Sequence, residues 1–233
     1  MAAMSIDPHL APRWDSAALV TIDMQRDFLS DGAFGVPGTS EILPALTELV
    51  TAFRASGRLI VHIVRLHQGG DVDRLRRTLI AGGADFVRPG SAGRLLAKEI
   101  ADVELADDLL LSGRPQPIGP AEIVLYKPRW GAFYRTDLEA LLAGRSTLVF
   151  AGCNLPNCSR ASIVEAHERD FRVVLATDAV SQAGEQGLRE VAGLGTTLMR
   201  TPEIVAAITA TPPEAGVHDA GVMPTAVATT PDR

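Results

Sequence analysis

The chain has 233 residues, of which 46% are apolar and 21% charged, with a formal net charge of −6. That balance excludes disorder and a fibrous repeat, and surface scaling allows a single domain to bury roughly 70% of its extended surface. No Lys- or Arg-rich run offers a phosphate-binding stripe, so neither nucleic acid nor an anionic membrane is an expected partner.

The opening segment MAAMSIDPHLAPRWD lacks the basic region and apolar run of a signal peptide. No apolar stretch approaches the roughly 20 residues that cross a bilayer, and a cytoplasmic location is the expectation. The two cysteines, Cys153 and Cys158, are too few for a disulfide framework and are expected as free thiols.

Short apolar runs rich in β-branched residues alternate with stretches of helical period, the pattern of a parallel sheet covered on both faces. The first run is ALVTID at 18–23. A crossover helix is predicted over 40–56, with Ile42, Leu46, Leu49, Val50 and Phe53 on one stripe and Gly57 ending it. LIVHIVR at 59–65 is the next strand. A Gly- and Arg-rich excursion over 66–94 follows, too long for a simple connection and expected to build part of a pocket wall. A helix-like stretch to about Ala106 leads to the strand EIVLY at 122–126. Thr136 and Glu139 spell a capping box opening the helix DLEALLA, with Gly144 at its end. TLVFAG at 147–152 is a strand, Cys158 to Asp170 reads as a helix, and RVVLATDA is a strand. A strand near Thr196–Arg200 and a helix over Pro202–Ile208 complete five or six strand–helix units in one domain, 15–210, between an N-terminal segment (1–14) and a loose Pro-, Ala- and Thr-rich tail (211–233).

Ligands of an open parallel sheet bind beyond the carboxyl ends of its strands, and three residues stand there. Asp23 ends the first strand, Lys127 follows EIVLY, and Cys158 opens a helix shortly after Gly152. Singly, each has an ordinary structural reading: a turn acceptor, a solvated lysine, a small buried hydrophobe. The last account suits Cys153. Cys158 differs because a helix N-terminus lowers a thiol pKa and supplies unpaired N–H groups, which suits a nucleophile.

Three stretches together, VTIDMQRDFL (20–29), YKPRWGAFYRTDLEALL (126–142) and AGCNLPNCSRASIVEAHERDFRVVLATDAVS (151–181), resemble the isochorismatase-like cysteine hydrolases over about residues 15–210. The resemblance implies an α/β three-layer sandwich, with a mainly parallel sheet of five or six strands and helices on both faces. It also implies a catalytic triad of Asp23, Lys127 and Cys158, in which Asp23 moves the proton and Lys127 holds thiolate and carboxylate, lowering the Cys158 pKa. A cis peptide between Cys153 and Asn154 would turn the Asn154 and Cys158 N–H groups toward an oxyanion. The implied activity is hydrolysis of a small C–N bond (amide, carbamoyl, ureido or cyclic amide) through a thioester.

This chain departs from the pattern in two places. Leu155-Pro156-Asn157 replaces a Thr-rich loop before the cysteine, and VHIVRLHQGGD lacks the Asp-x-His pair with which nicotinamidases of the family hold a metal. No metal or other cofactor is expected, and His62 and His67, five residues apart, are read as packing or surface hydrogen bonds. Gln25, Phe28, Trp130, Phe133 and Tyr134 are candidates for the pocket, and Arg129 and Arg160 are read as solvated. The expected partner is a small amide-type molecule; family members also form dimers or tetramers. Two alternatives stay open: a vinyl ether hydrolase of the isochorismatase type, and a non-catalytic binding or redox-sensing module built on Cys153 and Cys158.

Overall fold

Ala17–Ile22 is buried at every position and forms β1, the middle of the sheet, where aliphatic side chains are covered from both faces. The computed structural model describes residues 7–69 and 72–213; the first six residues and 214–233, most of the expected tail, lie outside the described residues. On one side β1 pairs in parallel with β2 (Ile60–Val64), which pairs with β4 (Glu122–Tyr126). On the other side follow β5 (Thr147–Gly152), β6 (Arg172–Val180) and β7 (Thr197–Met199), all parallel. An antiparallel edge, β3 (Gln116–Gly119), completes a seven-stranded sheet in the order β3-β4-β2-β1-β5-β6-β7. The expectation of five or six strands missed this edge, because Gln-Pro-Ile-Gly has no alternating apolar pattern and its proline has no N–H to donate.

Helix α1 (Leu43–Ala55) buries Leu46, Leu49, Val50 and Phe53 against Leu19, Ile60 and Val149, and Gly57 follows with φ +64°. Beside it α7 (Thr201–Ala210) packs through Ile204 and Ile208. The opposite face is covered by α4 (Leu138–Leu141), α5 (Arg160–His167) and α6 (Glu185–Ala192) through Leu138, Ile163, Ala166 and Val191. Leu19 and Val20, neighbours on β1, thus enter different cores, as the period of a strand demands. Helices α2 (Arg74–Ala81) and α3 (Asp107–Leu111) lie in the long connection between β2 and β3. Among the described residues no helix is long and apolar enough to cross a membrane.

Several local expectations give way to tertiary contacts. The capping box does not form: Thr136 Oγ1 donates to Ala132 O at 2.6 Å, and Glu139 pairs with Arg169 at 2.9 Å. Residues 95–106 are not helical, because Leu96 bridges to Gln25 and the Ala97 N–H donates to Met24 O at 2.9 Å; the helix, α3, begins only at Asp107. A π-helical turn, Leu155–Ser159, precedes α5, closed by the Ser159 N–H donating to Asn154 O at 3.2 Å. Arg58, 1% exposed, donates to Trp14 O and Thr211 O, tying the chain before β1 to the end of α7.

His62 lies inside the sheet with its ring nitrogens 2.7 Å from Thr21 Oγ1 and 2.7 Å from Glu122 Oε1, a packing role as expected. Burial pushes the Glu122 carboxyl up, but hydrogen bonds from His62 and Arg54 overcome this and hold it at about 2. Its folded pKa is therefore below the unfolded one, so the stability it contributes is present above an ordinary carboxylate pKa and is lost as pH falls toward 2. Glu122→Gln is expected to lose about 1–3 kcal/mol at neutral pH, with a flatter pH dependence between about pH 4.5 and 2. Urea unfolding at a series of pH values checks both.

Candidate active site

The chain runs outward from β1 to β2 and β4, then returns to β5 on the other side of β1, so a crevice opens between β1 and β5 at the carboxyl ends of the strands. The ladder continues one residue past each strand end. The Asp23 N–H donates to Ile63 O at 2.9 Å, Lys127 N–H to Val64 O at 2.9 Å and Cys153 N–H to Ile22 O at 2.8 Å. Asp23, Arg65, Lys127 and Cys153 thus stand side by side at the ends of β1, β2, β4 and β5. Gly152 (φ +113°) allows this closeness, since a Cβ there would lie 2.3 Å from Ile22 O. Asp23 itself has φ +50°, a left-handed turn that Asp tolerates.

Lys127 is fully buried and donates to Asp23 Oδ2 and to Trp130 O, each at 2.9 Å. Arg65 Nε lies 3.6 Å from the same Asp23 oxygen, while its two terminal nitrogens reach Cys158 Sγ at 3.5 Å and Asp73 Oδ2 at 2.9 Å. Burial alone would depress the Arg65 guanidinium, but Asp23, Cys158 and Asp73 raise its pKa above the usual value. The three residues singled out from the sequence therefore converge. Asp23 Oδ1 is buried without a hydrogen-bond partner among the described residues. The Cys153–Asn154 peptide is cis, as the resemblance implies, and both residues line the crevice.

Lys127 pulls the Cys158 pKa down, as expected, but that pull does not prevail. Burial and the Asp23 carboxylate push the Cys158 thiol up, and the pull of Lys127 and Arg65 does not reverse this. Cys158 sits within the π-helical turn rather than at an open helix N-terminus, and it is buried beside a carboxylate. Cys153 is pushed up to about 12, chiefly by burial.

The cavity offers about 50 Å³ of space to water-sized molecules, and Asp23, Arg65, Asp73, Cys158, Phe28 and Trp130 are among its walls. The excursion over 66–94 does build one wall, through His67, Asp73, Leu75 and Arg76. Three pocket candidates lie elsewhere. Gln25 is fully buried behind the wall, donating to Arg65 O and Arg94 O and accepting from the Arg65 N–H. Phe133 belongs to the core under α4 and α5, stacked near Phe171, and Tyr134 is 47% exposed outside the cavity. Arg160 makes a surface ion pair with Glu190. Among the described residues, no three His, Cys, Asp or Glu side chains cluster as a metal cage requires.

A family model, the isochorismatase domain, matches residues 17–203. The chain belongs to the isochorismatase family. It is similar to a ureidoacrylate amidohydrolase of Methylorubrum extorquens, 31% identical over 197 residues, which cover 76% of this chain and 74% of that protein. It is likewise similar to a probable inactive nicotinamidase of Arabidopsis thaliana, 33% identical over 180 residues, covering 75% and 85% of the two chains. Among solved structures, an isochorismatase family protein of Desulfovibrio vulgaris matches with a TM-score of 0.70 and 29% identity, covering 83% of this chain and 98% of that one.

Within this isochorismatase-family site, sequence reasoning passed over Arg65 and Asp73 and read His67 as packing or surface bonding. The signal for Arg65 was present: it ends the run LIVHIVR just as Asp23 ends ALVTID. Asp73 and His67 lie in the irregular excursion, where spacing does not report which way a side chain turns. The raised Cys158 pKa makes a direct prediction for this thiol. Alkylation of Cys158 by iodoacetamide should keep rising with pH beyond about 8.5, without a plateau near neutrality, and Cys153 should react more slowly. Peptide mass spectrometry across a pH series checks this.

Proposed function

We propose that this protein hydrolyses a carbon–nitrogen bond of a small amide, carbamoyl or ureido compound, or of a cyclic amide, through a thioester on Cys158. The observation that carries this reading is the meeting of a buried thiol and a carboxylate with one unpartnered oxygen, the carboxylate held by Lys127 and Arg65 and the thiol by the same Arg65. The amidohydrolase named among its relatives supports the bond type.

Because the resting thiol is hard to ionise, its proton leaves only as Sγ attacks the substrate carbonyl, and Asp23 Oδ1 is the base that receives it. The oxyanion formed at the carbonyl oxygen is met by the N–H groups of Asn154 and Cys158. Asp23 then returns the proton to the departing nitrogen, and the C–N bond breaks to leave a thioester. Water attacks that thioester with Asp23 as base again, releasing the acid and restoring the thiol. Lys127 and Arg65 keep Asp23 and the sulfur in place while negative charge moves between them. Hydrolysis of a vinyl ether needs no thiol, which leaves Cys158 and its cations without a task.

A panel of primary amides, carbamoyl and ureido compounds and lactams, followed by amine release or ring opening, tests the reading. Turnover that depends on Cys158 supports it, and turnover confined to a vinyl ether would sink it.

A further inference from the structure

Four buried polar atoms around the cavity have no hydrogen-bond partner among the described residues: Asp23 Oδ1, Asp73 Oδ1 and both ring nitrogens of His67. The mechanism uses only the first. Buried polar groups are almost always paired, so a cluster of unpaired ones lining one cavity marks atoms that a ligand completes.

Both residues are held firmly. Asp73 Oδ2 accepts from Arg65 at 2.9 Å, which fixes the carboxylate and leaves Oδ1 free. His67, 4% exposed, packs edge-on to Phe86 with ring centroids 5.1 Å apart, and its backbone N–H donates to Val87 O at 2.9 Å. Burial and the nearby Arg65 and Arg76 charges hold the imidazole at about 4, Asp73 and the Phe86 backbone offsetting only part of this. The ring is therefore neutral at physiological pH, with one nitrogen to donate and one to accept. Asp73 Oδ1 can only accept, so a group without an N–H would leave it unpaired, and a carboxylate would in addition meet it charge against like charge.

We propose that His67 and Asp73 form a recognition subsite for an uncharged N–H-bearing group of the substrate, a carboxamide or ureido group, and that carboxylates are excluded from it. Asp73 Oδ1 accepts the N–H, and the imidazole pairs with the group's remaining donor or acceptor. The inference rests on the amide reading above for which molecules to expect, but its test requires no turnover.

The test uses full-length Cys158→Ser protein with ¹⁵N-labelled histidine, titrated with propionamide, propionate and N,N-dimethylpropionamide. The ¹⁵N shifts of His67, assigned by their loss in His67→Gln, are expected to move saturably with propionamide at millimolar concentration. Propionate and the dimethyl amide, which lacks an N–H, should leave them unmoved. No saturable shift with propionamide, or an equal shift with either of the others, overturns the subsite. His67→Leu keeps an apolar side chain of similar size against Phe86 and is expected to fold. In ligand-observed NMR it should bind propionamide at least about tenfold more weakly, and unchanged binding is equally fatal. Amide turnover at the wild-type rate in Cys158→Ala would end the thioester reading while leaving these binding results standing.

Discussion

Cys158→Ala is expected to abolish amide hydrolysis, with kcat/KM falling by at least about 10⁴-fold, while the protein still folds. The size of the loss follows from the thioester route: without sulfur there is no covalent intermediate, and Asp23 is left to activate water for direct attack on an amide, a far poorer electrophile than the thioester. The modest effect on folding follows from what is removed. Cys158 is buried among Leu155, Ile163 and Ala166, and alanine deletes a single sulfur atom, a change of about 1 kcal/mol for so small a void. Arg65 keeps its contacts to Asp23 and Asp73, so the charge network survives. Thermal unfolding and turnover, measured on the same preparation, separate the two effects. Wild-type rates in Cys158→Ala would end the mechanism, whereas rapid-quench mass spectrometry of the native enzyme should find the substrate's acyl group on the peptide containing Cys158.

Lys127→Met should damage both activity and folding. The side chain is fully buried with its ammonium on Asp23 and Trp130 O, and removing one partner of a buried ion pair typically costs about 3–5 kcal/mol. Arg65, at 3.6 Å from Asp23, compensates only part of the stranded carboxylate. Turnover should fall by about 10³-fold or more, since Asp23 no longer has the charge partner that holds it for proton transfer. The double variant Asp23→Asn, Lys127→Met is the informative control. It removes both charges, so it should regain part of the lost stability and none of the activity. Urea midpoints for the two single variants and the double variant give the coupling; strict additivity would mean that the pair does not act as a unit.

Much of this site is open to sequence reasoning because of how a parallel sheet is built. Buried strands show up as continuous apolar runs, and the residue after each run falls at the carboxyl edge, which is how Asp23 and Lys127 come to notice. Phe28 and Trp130 do line the cavity, but Gln25, two residues past Asp23, turns behind the wall to hold the backbone of Arg65 and Arg94. Proximity along the chain says nothing about such a turn. Arg65 was equally visible at a strand end, yet an arginine is ordinarily solvated, and only the three acceptors around it make it a buried member of the site.

Read alone, the amino-acid order establishes the α/β class, the positions of the long strands and the three side chains that end near one crevice, since these depend on local apolar period and strand termini. The antiparallel edge strand, the π-helical turn before α5 and the unformed capping box depend on which distant groups compete for the same backbone hydrogen bonds. The protonation of Cys158 belongs to the folded protein as well. A helix N-terminus favours a thiolate, but burial and the neighbouring Asp23 oppose it, and the balance between desolvation and charge exists only once those groups are packed together.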